Sequence, residues 1–496
     1  MRRAKIVATI GPSSESAERL KDLMEAGMDV ARINMSHGER EPHGEVIARI
    51  HEVSSALGKP VAVMVDLSGP KIRTGVMCSG GAQLADGSVV RITTDEVQGD
   101  STCFTVSHAT ISAEVRPGDR VLIGDGEIEL EVLETVPTGA VARVIHGGLL
   151  GDHKGVNLPG GGASLPSITE KDVEDLKFAV LHGIDVVAQS FVRNADDCRK
   201  ARELLVGLGS SARLIAKIEK PEAFLDISRI LEVADGVMVA RGDLAVETSP
   251  ERVPVLQKRI INEALLAQKT VITATQMLQS MIDCPRPTRA EASDVANAIL
   301  DGSDAVMLSA ETAVGRYPVE SVSMMDRIIR STEEVTVAGP AYRGPSASSD
   351  GLAEHPREDA ARKDGFGRKS GSIGRAVAEA AVFAAEEVGC RLIVVFTQSG
   401  HMARRVAALR PRQRIIALTS AEETRRQLAV SWGVQAYMLP TSTTASDQVV
   451  RSGDQALISY NLADPGEKVV LMAGAMSDMA MSTSMKLHQV GQLAGK

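Results

Sequence analysis

The sequence has few aromatic residues and few cysteines, and its net charge is negative. Aromatic residues make up 2% of the 496 residues, with one tryptophan, so stacking platforms for nucleic-acid bases are not expected. The net charge of −9 at pH 7 argues against a broad nucleic-acid surface, although a small basic pocket can still bind phosphates. The five cysteines form no CxxC pair, which argues against a disulfide framework or a cysteine zinc site and suits a reducing compartment.

Long hydrophobic runs and several common motifs are also missing. No stretch approaches the ~18 apolar residues of a membrane span, and the apolar run in the N-terminal MRRAKIVATIGPSS is too short for a secretory signal. We therefore expect a cytoplasmic protein with no membrane and no nucleic-acid partner. No GxxxxGKS/T loop, GxGxxG fingerprint, HExxH pair or GxSxG elbow occurs, so a P-loop, a Rossmann nucleotide site and the corresponding hydrolases are not supported.

The sequence does contain a repeated strand–helix pattern. Hydrophobic residues make up 44% and charged residues 24%, which is ordinary for a globular protein with several cores. Eight short apolar runs, each followed by a helical stretch, cover residues 6–10, 30–33, 61–65, 186–188, 214–218, 236–240, 270–273 and 305–308. Such runs are typical of parallel strands buried on both faces. Eight of them close into a (β/α)8 barrel of ~250 residues, with an open doubly wound sheet as the alternative.

The pattern changes between the third and fourth runs. Residues 70–165 alternate polar and apolar residues, in runs at 88–93, 103–106, 120–123, 127–133 and 140–145. Asp125-Gly126 between two of these runs is a hairpin signal. We predict a small β-barrel inserted into the (β/α)8 barrel, which itself takes residues 1–69 and 166–338. Residues 339–371, with six glycines and three prolines, indicate a linker or mobile loop. Residues 372–496 predict a C-terminal α/β domain with an open, mainly parallel sheet.

Charged and polar residues concentrate where the predicted barrel strands end, which is where the active site of such a barrel lies. They are Arg32, Asn34, Ser36 and His37 after the second run, Asp66, Lys71 and Arg73 after the third, Lys217 and Glu219 at the fifth, Arg241, Gly242 and Asp243 at the sixth, Thr275 after the seventh, and Glu311 and Thr312 after the eighth. Glu219 and Asp243 suit Mg²⁺ held by carboxylates and substrate oxygens. Arg32, Arg73 and Lys217 suit a multiply charged anion such as phosphate. The residues alone predict a Mg²⁺-dependent enzyme for a small phosphorylated or carboxylated anion, with salt bridges that cap the barrel as the alternative.

At these motifs the sequence resembles the pyruvate kinase family. The matching segments are KIVATIGPSS, ARINMSHG, VDLSGPKIRTG, KGVNLPG, SITEKD, KIEKPEA, DGVMVARGDL, ATQML, PRPTRAEASDVANAILDG and SAETAVGRYP, which follow one another through residues 4–318. The C-terminal region resembles the family more loosely, through FTQSG and IIALT. The resemblance implies transfer of a phosphoryl group between phosphoenolpyruvate and ADP, giving pyruvate and ATP, in a homotetramer with the inserted β domain as a lid.

The resemblance also implies a role for individual residues. Arg32 and Lys217 would hold the phosphoryl group, Glu219 and Asp243 the Mg²⁺ (or Mn²⁺), and the Gly242 backbone and the Thr275 hydroxyl the substrate carboxylate. The nucleotide contacts would be Asn34, His37, Arg73 and Lys154. The monovalent-cation cage would be Asn34, Ser36, Asp66 and the Leu67 carbonyl. Two departures, Gly124 and Ala245, remove none of these groups.

Lys71 departs from the family in a way that bears on the cage. Members that require potassium carry glutamate at this position, whereas a lysine brings its own positive charge. Two unit charges ~4 Å apart at an effective dielectric of ~20 repel by about 4 kcal/mol, which weakens a cation site by roughly three orders of magnitude. The sequence therefore predicts an enzyme that needs Mg²⁺ but not K⁺. The alternative is that Lys71 points into solvent and the cage fills normally.

Two other functions are alternatives for this sequence, and the C-terminal domain contains one further candidate site. A lyase or aldolase would use the Mg²⁺ to stabilise a pyruvate enolate, without the nucleotide contacts or the lid. A catalytically dead sensor would bind a phosphorylated metabolite through the C-terminal domain, but the intact catalytic residues argue against it. In that domain Thr397, Ser399 and Gly400 precede a helix and predict a site for a phosphorylated effector, with an ordinary helix cap as the alternative.

Overall fold

The computed structural model describes residues 2–124, 126–161, 165–338, 373–439, 446–473 and 484–491. The predicted linker at 339–371 lies outside the described residues. The chain begins with strands and helices in alternation: β1 Lys5–Thr9, α1 Ala17–Ala26, β2 Val30–Asn34, α2 Arg40–Leu57 and β3 Ala62–Asp66. The three strands are almost entirely buried, as expected for apolar runs covered on both faces.

An all-β insertion follows β3, and we call it the lid. Its elements are β4 Ile72–Arg73, β5 Gly81–Leu84, β6 Val89–Thr93, β7 Cys103–Thr105, α3 Ile111–Glu114, β8 Arg120–Ile123, β9 Ile128–Val136, β10 Gly139–His146, β11 Gly148–Gly151 and β12 Gly155–Asn157. Seven of these strands form one sheet in the order β4-β12-β8-β9-β10-β6-β7. A bridge between Thr74 and Val106 joins the two edges, so the sheet curls into a small barrel. β8 and β9 pair antiparallel, as the hairpin signal predicts, although Asp125 itself lies outside the described residues.

The chain then returns to strand–helix alternation. The elements are α4 Glu170–Leu181, β13 Val186–Gln189, α5 Ala195–Gly207, β14 Arg213–Ile218, α6 Pro221–Leu225, α7 Ile227–Val233, β15 Gly236–Ala240, α8 Arg241–Glu247, α9 Val253–Leu266, β16 Thr270–Ala274, α10 Arg289–Asp301, β17 Ala305–Leu308, α11 Ala310–Ala313 and α12 Pro318–Ala338. Capping boxes begin α4 at Thr169 and α10 at Thr288 and satisfy backbone N–H groups that the first turn leaves free.

Eight parallel strands close into one barrel in the order β1-β17-β16-β15-β14-β13-β3-β2. Each of the eight predicted runs coincides with one of these strands to within about a residue, so the closed barrel is confirmed and the open sheet is excluded. All eight carboxyl ends meet at one end of the barrel, because the strands are parallel. The lid leaves β3 at that same end.

The C-terminal region forms a separate sheet. Its elements are α13 Ile373–Glu387, β18 Leu392–Phe396, α14 His401–Ala408, β19 Arg414–Thr419, α15 Glu422–Gln427, β20 Val434–Met438, α16 Ser446–Ser459, β21 Lys468–Ala473 and β22 Ser484–Gln489. The order is β20-β19-β18-β21-β22, parallel except for β22, which confirms the mainly parallel sheet. Lys5 at the start of β1 donates to the Val434 carbonyl at 2.9 Å, so this region contacts the barrel at the end opposite to the lid.

Candidate active site

The site lies at the carboxyl ends of the barrel strands. Arg32 is in β2, Asp66 ends β3 and Lys217 is in β14, while Glu219 directly follows β14. Asp243 is in the first turn of α8, immediately after β15. Residues from distant parts of the sequence thus meet at one end of the barrel.

Lys217 and Asp66 are the centre of a buried ion-pair network. The Lys217 ammonium lies 2.8 Å from Glu219 Oε1 and 3.2 Å from Asp66 Oδ1. Arg32 Nη2 lies 2.7 Å from Asp66 Oδ2. The Asp66 and Glu219 side chains are 2% and 1% exposed. Two cations therefore stand beside carboxylates that cannot be solvated by bulk water, which makes their mutual attraction strong.

The network shifts the pKa values of its members. Burial alone would lower the pKa of Lys217, but the charges of Asp66, Glu219 and Asp243 raise it above its usual value. Burial opposes ionisation of Asp66 as well, yet Lys217 and Arg32 hold the pKa of that carboxyl below its usual range. Lys217 thus stays positively charged and Asp66 negatively charged at neutral pH, so a fixed positive charge is available for an anionic substrate.

Glu219 and Asp243 are the groups that could hold a divalent cation. Glu219 Oε1 is buried and lies 2.8 Å from the Lys217 ammonium. Burial and the Asp243 charge raise the pKa of Glu219, so an added cation would relieve an unfavourable negative charge. Among the described residues no group of three or more histidine, cysteine or acidic side chains could bind a metal. Two carboxylates fit a Mg²⁺ that takes its other ligands from water and substrate oxygens.

Ser190, which the sequence analysis did not single out, connects two members of the site. Its hydroxyl accepts from the Lys217 ammonium at 2.7 Å and donates to the Leu67 carbonyl at 2.8 Å. Ser190 directly follows β13, so inspection of the fourth strand end in the same way as the others would have found it. Next to it, the Phe191 N–H donates to Glu219 Oε2 at 2.8 Å, and Phe191 adopts a φ of 55°.

Gly242 and Thr275 lie side by side at the ends of β15 and β16. The Gly242 N–H donates to Thr275 Oγ1 at 2.8 Å. Thr275 has a φ of 70°, an unfavourable backbone conformation for a β-branched residue. Arg241 donates to the Thr275 carbonyl at 2.6 Å, and Asp294 lies 2.7 Å from the same guanidinium. Arg241 and Gly242, the first two residues of α8, therefore hold the backbone carbonyl and the side chain of Thr275.

The cage residues partly serve other contacts. The Asn34 side-chain oxygen accepts from the Ser36 N–H at 3.2 Å, while Asp66 and the Leu67 carbonyl are engaged by the network described above. Lys71 is exposed and forms no ion pair with a described carboxylate. A Cβ built on Gly155 would lie 3.0 Å from Lys71 Cε, so the end of the lysine side chain lies close to the first residue of β12.

The nucleotide candidates lie at the end of β2 and just after it, and on or next to the two strands that connect the lid to the barrel. His37 is exposed as a residue, but partial burial of its ring, with the charges of Arg73, Lys71 and Arg32, lowers its pKa. Arg73 donates to the His153 carbonyl at 3.1 Å, next to Lys154, which is exposed. The structure thus brings His37 and Arg73 into one electrostatic environment and leaves Lys154 free to contact a ligand.

Glu311 and Thr312, at the eighth strand end, have structural roles. Glu311 is fully buried and accepts from the N–H groups of Leu278 and Ser309 at 3.1 and 2.7 Å. Thr312 donates to the Thr9 carbonyl at 2.8 Å. Both side chains therefore make hydrogen bonds to backbone groups at this end of the barrel.

The effector candidates form a turn between β18 and α14. Thr397 Oγ1 accepts from the Gly400 N–H at 2.9 Å, and Ser399 is exposed. Arg404 Nη1 is buried and has no hydrogen-bond partner among the described residues. Burial and the Arg213 charge lower the pKa of Arg404 to about 9. The turn therefore stands in an electropositive environment.

No helix among the described residues is long and apolar enough to cross a membrane. The model of the pyruvate kinase barrel domain matches residues 1–322, and the model of the pyruvate kinase alpha/beta domain matches residues 375–487.

Curated relatives match along the whole chain. The pyruvate kinase of Sporosarcina psychrophila is 42% identical over 100% of this chain and 82% of its own length. That of Mycobacterium tuberculosis strain H37Rv is 41% identical over 99% of both chains. A crystal structure of a pyruvate kinase from Cryptosporidium parvum superposes with a TM-score of 0.86 at 35% identity, covering 99% of this chain and 96% of the other. The chain belongs to the pyruvate kinase family.

Proposed function

We propose that the chain catalyses phosphoryl transfer between phosphoenolpyruvate and ADP, giving pyruvate and ATP. The observation that carries this proposal is the buried network in which Lys217 and Arg32 stand beside Asp66 and Glu219. Phosphoryl transfer depends on charge neutralisation and positioning more than on covalent catalysis. A fixed pair of cations, one of them next to the metal-binding carboxylate Glu219, supplies both requirements.

The residues of the barrel divide the work on the substrate. Arg32 and Lys217 hold the phosphoryl oxygens, and Lys217 stays charged because of its acidic neighbours. The Gly242 N–H and the Thr275 hydroxyl, which lie on adjacent strand ends, hold the substrate carboxylate in place of the 2.8 Å hydrogen bond between them. Glu219 and Asp243 hold Mg²⁺, for which Mn²⁺ is a substitute. When bound, the metal supplies positive charge where the enolate of pyruvate develops.

The nucleotide binds between the barrel and the lid. Asn34 and His37 contact it from the barrel, and Arg73 and Lys154 contact it from the connecting strands of the lid. The lowered pKa of His37 means that this ring is neutral at pH 7 and forms hydrogen bonds without adding charge. Closure of the lid excludes water, which would otherwise hydrolyse the phosphoryl group.

One assay separates this proposal from the two other functions. Pyruvate formation is measured with phosphoenolpyruvate, ADP and Mg²⁺, then with each component left out in turn. A kinase requires all three, whereas a lyase or aldolase, which breaks a C–C bond of another substrate, and a dead sensor both form no pyruvate from this mixture. Pyruvate formation that does not depend on ADP would contradict the proposal.

We further propose that the enzyme does not require K⁺, because Lys71 replaces the glutamate of potassium-requiring members. The positive field of Lys71 reaches the site, since it contributes to the lowered pKa of His37. Rates in potassium and in tetramethylammonium at matched ionic strength should be similar. Lys71→Glu should create a potassium requirement and raise the pKa of His37 as observed by NMR. Activation of the wild type by K⁺ of tenfold or more would contradict this proposal.

The turn at Thr397, Ser399 and Gly400 is proposed to bind a phosphorylated effector. Its support is the exposed Ser399 hydroxyl and the buried Nη1 of Arg404 beside Gly400, for which the described part of the chain offers no hydrogen-bond partner. Nucleoside monophosphates and sugar phosphates are screened for activation, and the screen is repeated with Thr397→Ala and Ser399→Ala. No response to either class would remove the proposal.

The assembly and the domain boundaries are also proposals. We propose a cytoplasmic homotetramer whose contacts include β22, because this strand is at an edge of its sheet and its Met485 and Leu487 are 37% and 49% exposed. The proposed domains are residues 1–69 with 166–338, 70–165 and 372–496, with 339–371 as the linker. Sedimentation equilibrium tests the tetramer, and a monomeric active enzyme would contradict it.

A further inference from the structure

The lid is tied to the barrel by a buried polar contact away from the groups assigned above. The Asn157 side-chain amide donates to Glu247 Oε1 at 3.2 Å, and the Lys220 ammonium lies 3.2 Å from Glu247 Oε2. Asn157 is the last residue of β12, on the segment by which the lid returns to the barrel. Glu247 ends α8, and Lys220 directly follows Glu219. One carboxylate therefore joins the lid to two active-site segments of the barrel.

Glu247 sits in a crevice where both connecting segments of the lid meet the barrel. The crevice is lined by Pro70 and Ile72 from the outgoing segment, by Val156 and Leu158 from the return segment, and by Phe191 from the barrel. The Glu247 side chain is 2% exposed and that of Lys220 is 10% exposed. A carboxylate is rarely buried unless it is paired. Here its two partners come from the lid and from the metal-binding segment.

The contact also fixes the position of a nucleotide residue. Lys154 lies three residues before Asn157 on the same return segment, which corresponds to about 10 Å of extended chain. β12 pairs with β4 and with β8 inside the lid, so the lid moves with this strand. The hydrogen bond that holds Asn157 against the barrel therefore limits the positions that Lys154 can take.

We propose that Glu247 is a positioning residue for the nucleotide side of the reaction: through Asn157 and Lys220 it holds β12, and with it Lys154, at a set distance from the metal-binding carboxylates. This inference rests on the proposed function, since Lys154 is a nucleotide contact only there. Glu247 touches no substrate itself. Its effect falls on the binding of ADP and leaves the barrel contacts of phosphoenolpyruvate in place.

The experiment compares the KM for ADP and the KM for phosphoenolpyruvate in full-length variants. Asn157→Ala removes the donor, and loss of one hydrogen bond to a charged acceptor corresponds to a factor of about ten. We expect the KM for ADP to rise about tenfold while the KM for phosphoenolpyruvate changes by less than about twofold. Asn157→Asp places a second carboxylate against Glu247 and should be worse.

A reciprocal exchange shows whether the two side chains act through each other. In the double variant Asn157→Asp with Glu247→Gln, the glutamine amide can donate to the new aspartate, so the KM for ADP should return toward the wild-type value. Glu251→Gln is the matched control, since Glu251 is exposed four residues further on and accepts from Ser249 at 2.8 Å within its own turn. It should change neither KM.

A second measurement does not depend on catalysis. Amide hydrogen exchange of residues 155–157 in the ligand-free protein should be faster in Asn157→Ala than in the wild type and the Glu251→Gln control. An unchanged KM for ADP, an equal rise in both KM values, or no rescue in the double variant would overturn the proposal. If the wild type shows no activity with phosphoenolpyruvate and ADP, the proposed function fails. Exchange at 155–157 that is unchanged in Asn157→Ala would show, independently of activity, that the contact does not hold this segment.

Discussion

Replacement of Lys217 by methionine tests the centre of the site. Methionine keeps most of the side-chain volume and removes the ammonium that lies 2.8 Å from Glu219 and 3.2 Å from Asp66. Loss of one preorganised donor to a developing charge costs about 10²–10³ in kcat. A charged donor to the phosphoryl group should cost at least about 10³. The coupled assay for pyruvate measures this directly.

The same change should also weaken the fold, because it leaves Glu219 buried without its cation. Removal of one partner of a buried ion pair costs about 3–5 kcal/mol, whereas Asp66 keeps Arg32 at 2.7 Å. Since Mg²⁺ can replace the lost charge at Glu219, it should raise the Tm of Lys217→Met more than that of the wild type.

A matched control separates the site from the loss of any lysine. Lys177 forms an exposed ion pair with Glu174 at 2.7 Å, and such surface pairs contribute little to stability because water and salt screen them. Lys177→Met should therefore leave kcat and Tm nearly unchanged. A folded Lys217→Met variant that keeps more than about a tenth of the wild-type kcat would refute the role of Lys217 in phosphoryl transfer.

Three further changes have expected outcomes. Gly69→Ala should destabilise the lid connection and lower the Tm, because Gly69 has a φ of 64° and a Cβ there would lie 2.6 Å from the Phe191 ring; an unchanged Tm would contradict the strain. Ser190→Ala should lower kcat by about tenfold, since Lys217 loses the hydroxyl at 2.7 Å that orients it; full activity would show that Lys217 needs no such support. Burial raises the pKa of Asp185 to about 7, above the unfolded value of about 4. Between these pH values the folded state binds one proton more than the unfolded state, so the stability falls as the pH rises from about 4 through 7. Asp185→Asn should remove that slope in urea titrations across this range, and an unchanged slope would contradict the assignment.

The barrel could be predicted because its strands are continuous apolar runs. A strand covered on both faces needs apolar residues at every position, and β15 and β17 match the predicted runs without any shift. The connecting strands β4 and β12 were missed, since runs of two and three residues are too short to show a period of two. β22 was also missed, because its sequence SMKLHQ is largely polar and exposed at the sheet edge.

The residue types of the site could be predicted, but their partners could not. The rule that strand ends face the active site placed Lys217, Glu219 and Asp66 together. Each cation pairs with a carboxylate that depends on the side-chain rotamers in the closed barrel. Sequence spacing does not determine these rotamers. The contact between Asn157 and Glu247 joins residues 90 positions apart, one in the lid and one in the barrel. It depends on how the lid packs on the barrel, which the sequence alone does not give.

The most direct test of the central claim is the transfer of the phosphoryl group itself. Phosphoenolpyruvate and ADP are mixed with the full-length protein and Mg²⁺, and ATP and pyruvate are measured in the same sample. We expect the two products to form in equal amounts, and neither to form without ADP or with a chelator present. Lys217→Met should lower the formation of both by at least about 10³. Pyruvate without an equal amount of ATP would contradict the account, because the phosphoryl group would then have gone to water or the bond broken would be another one.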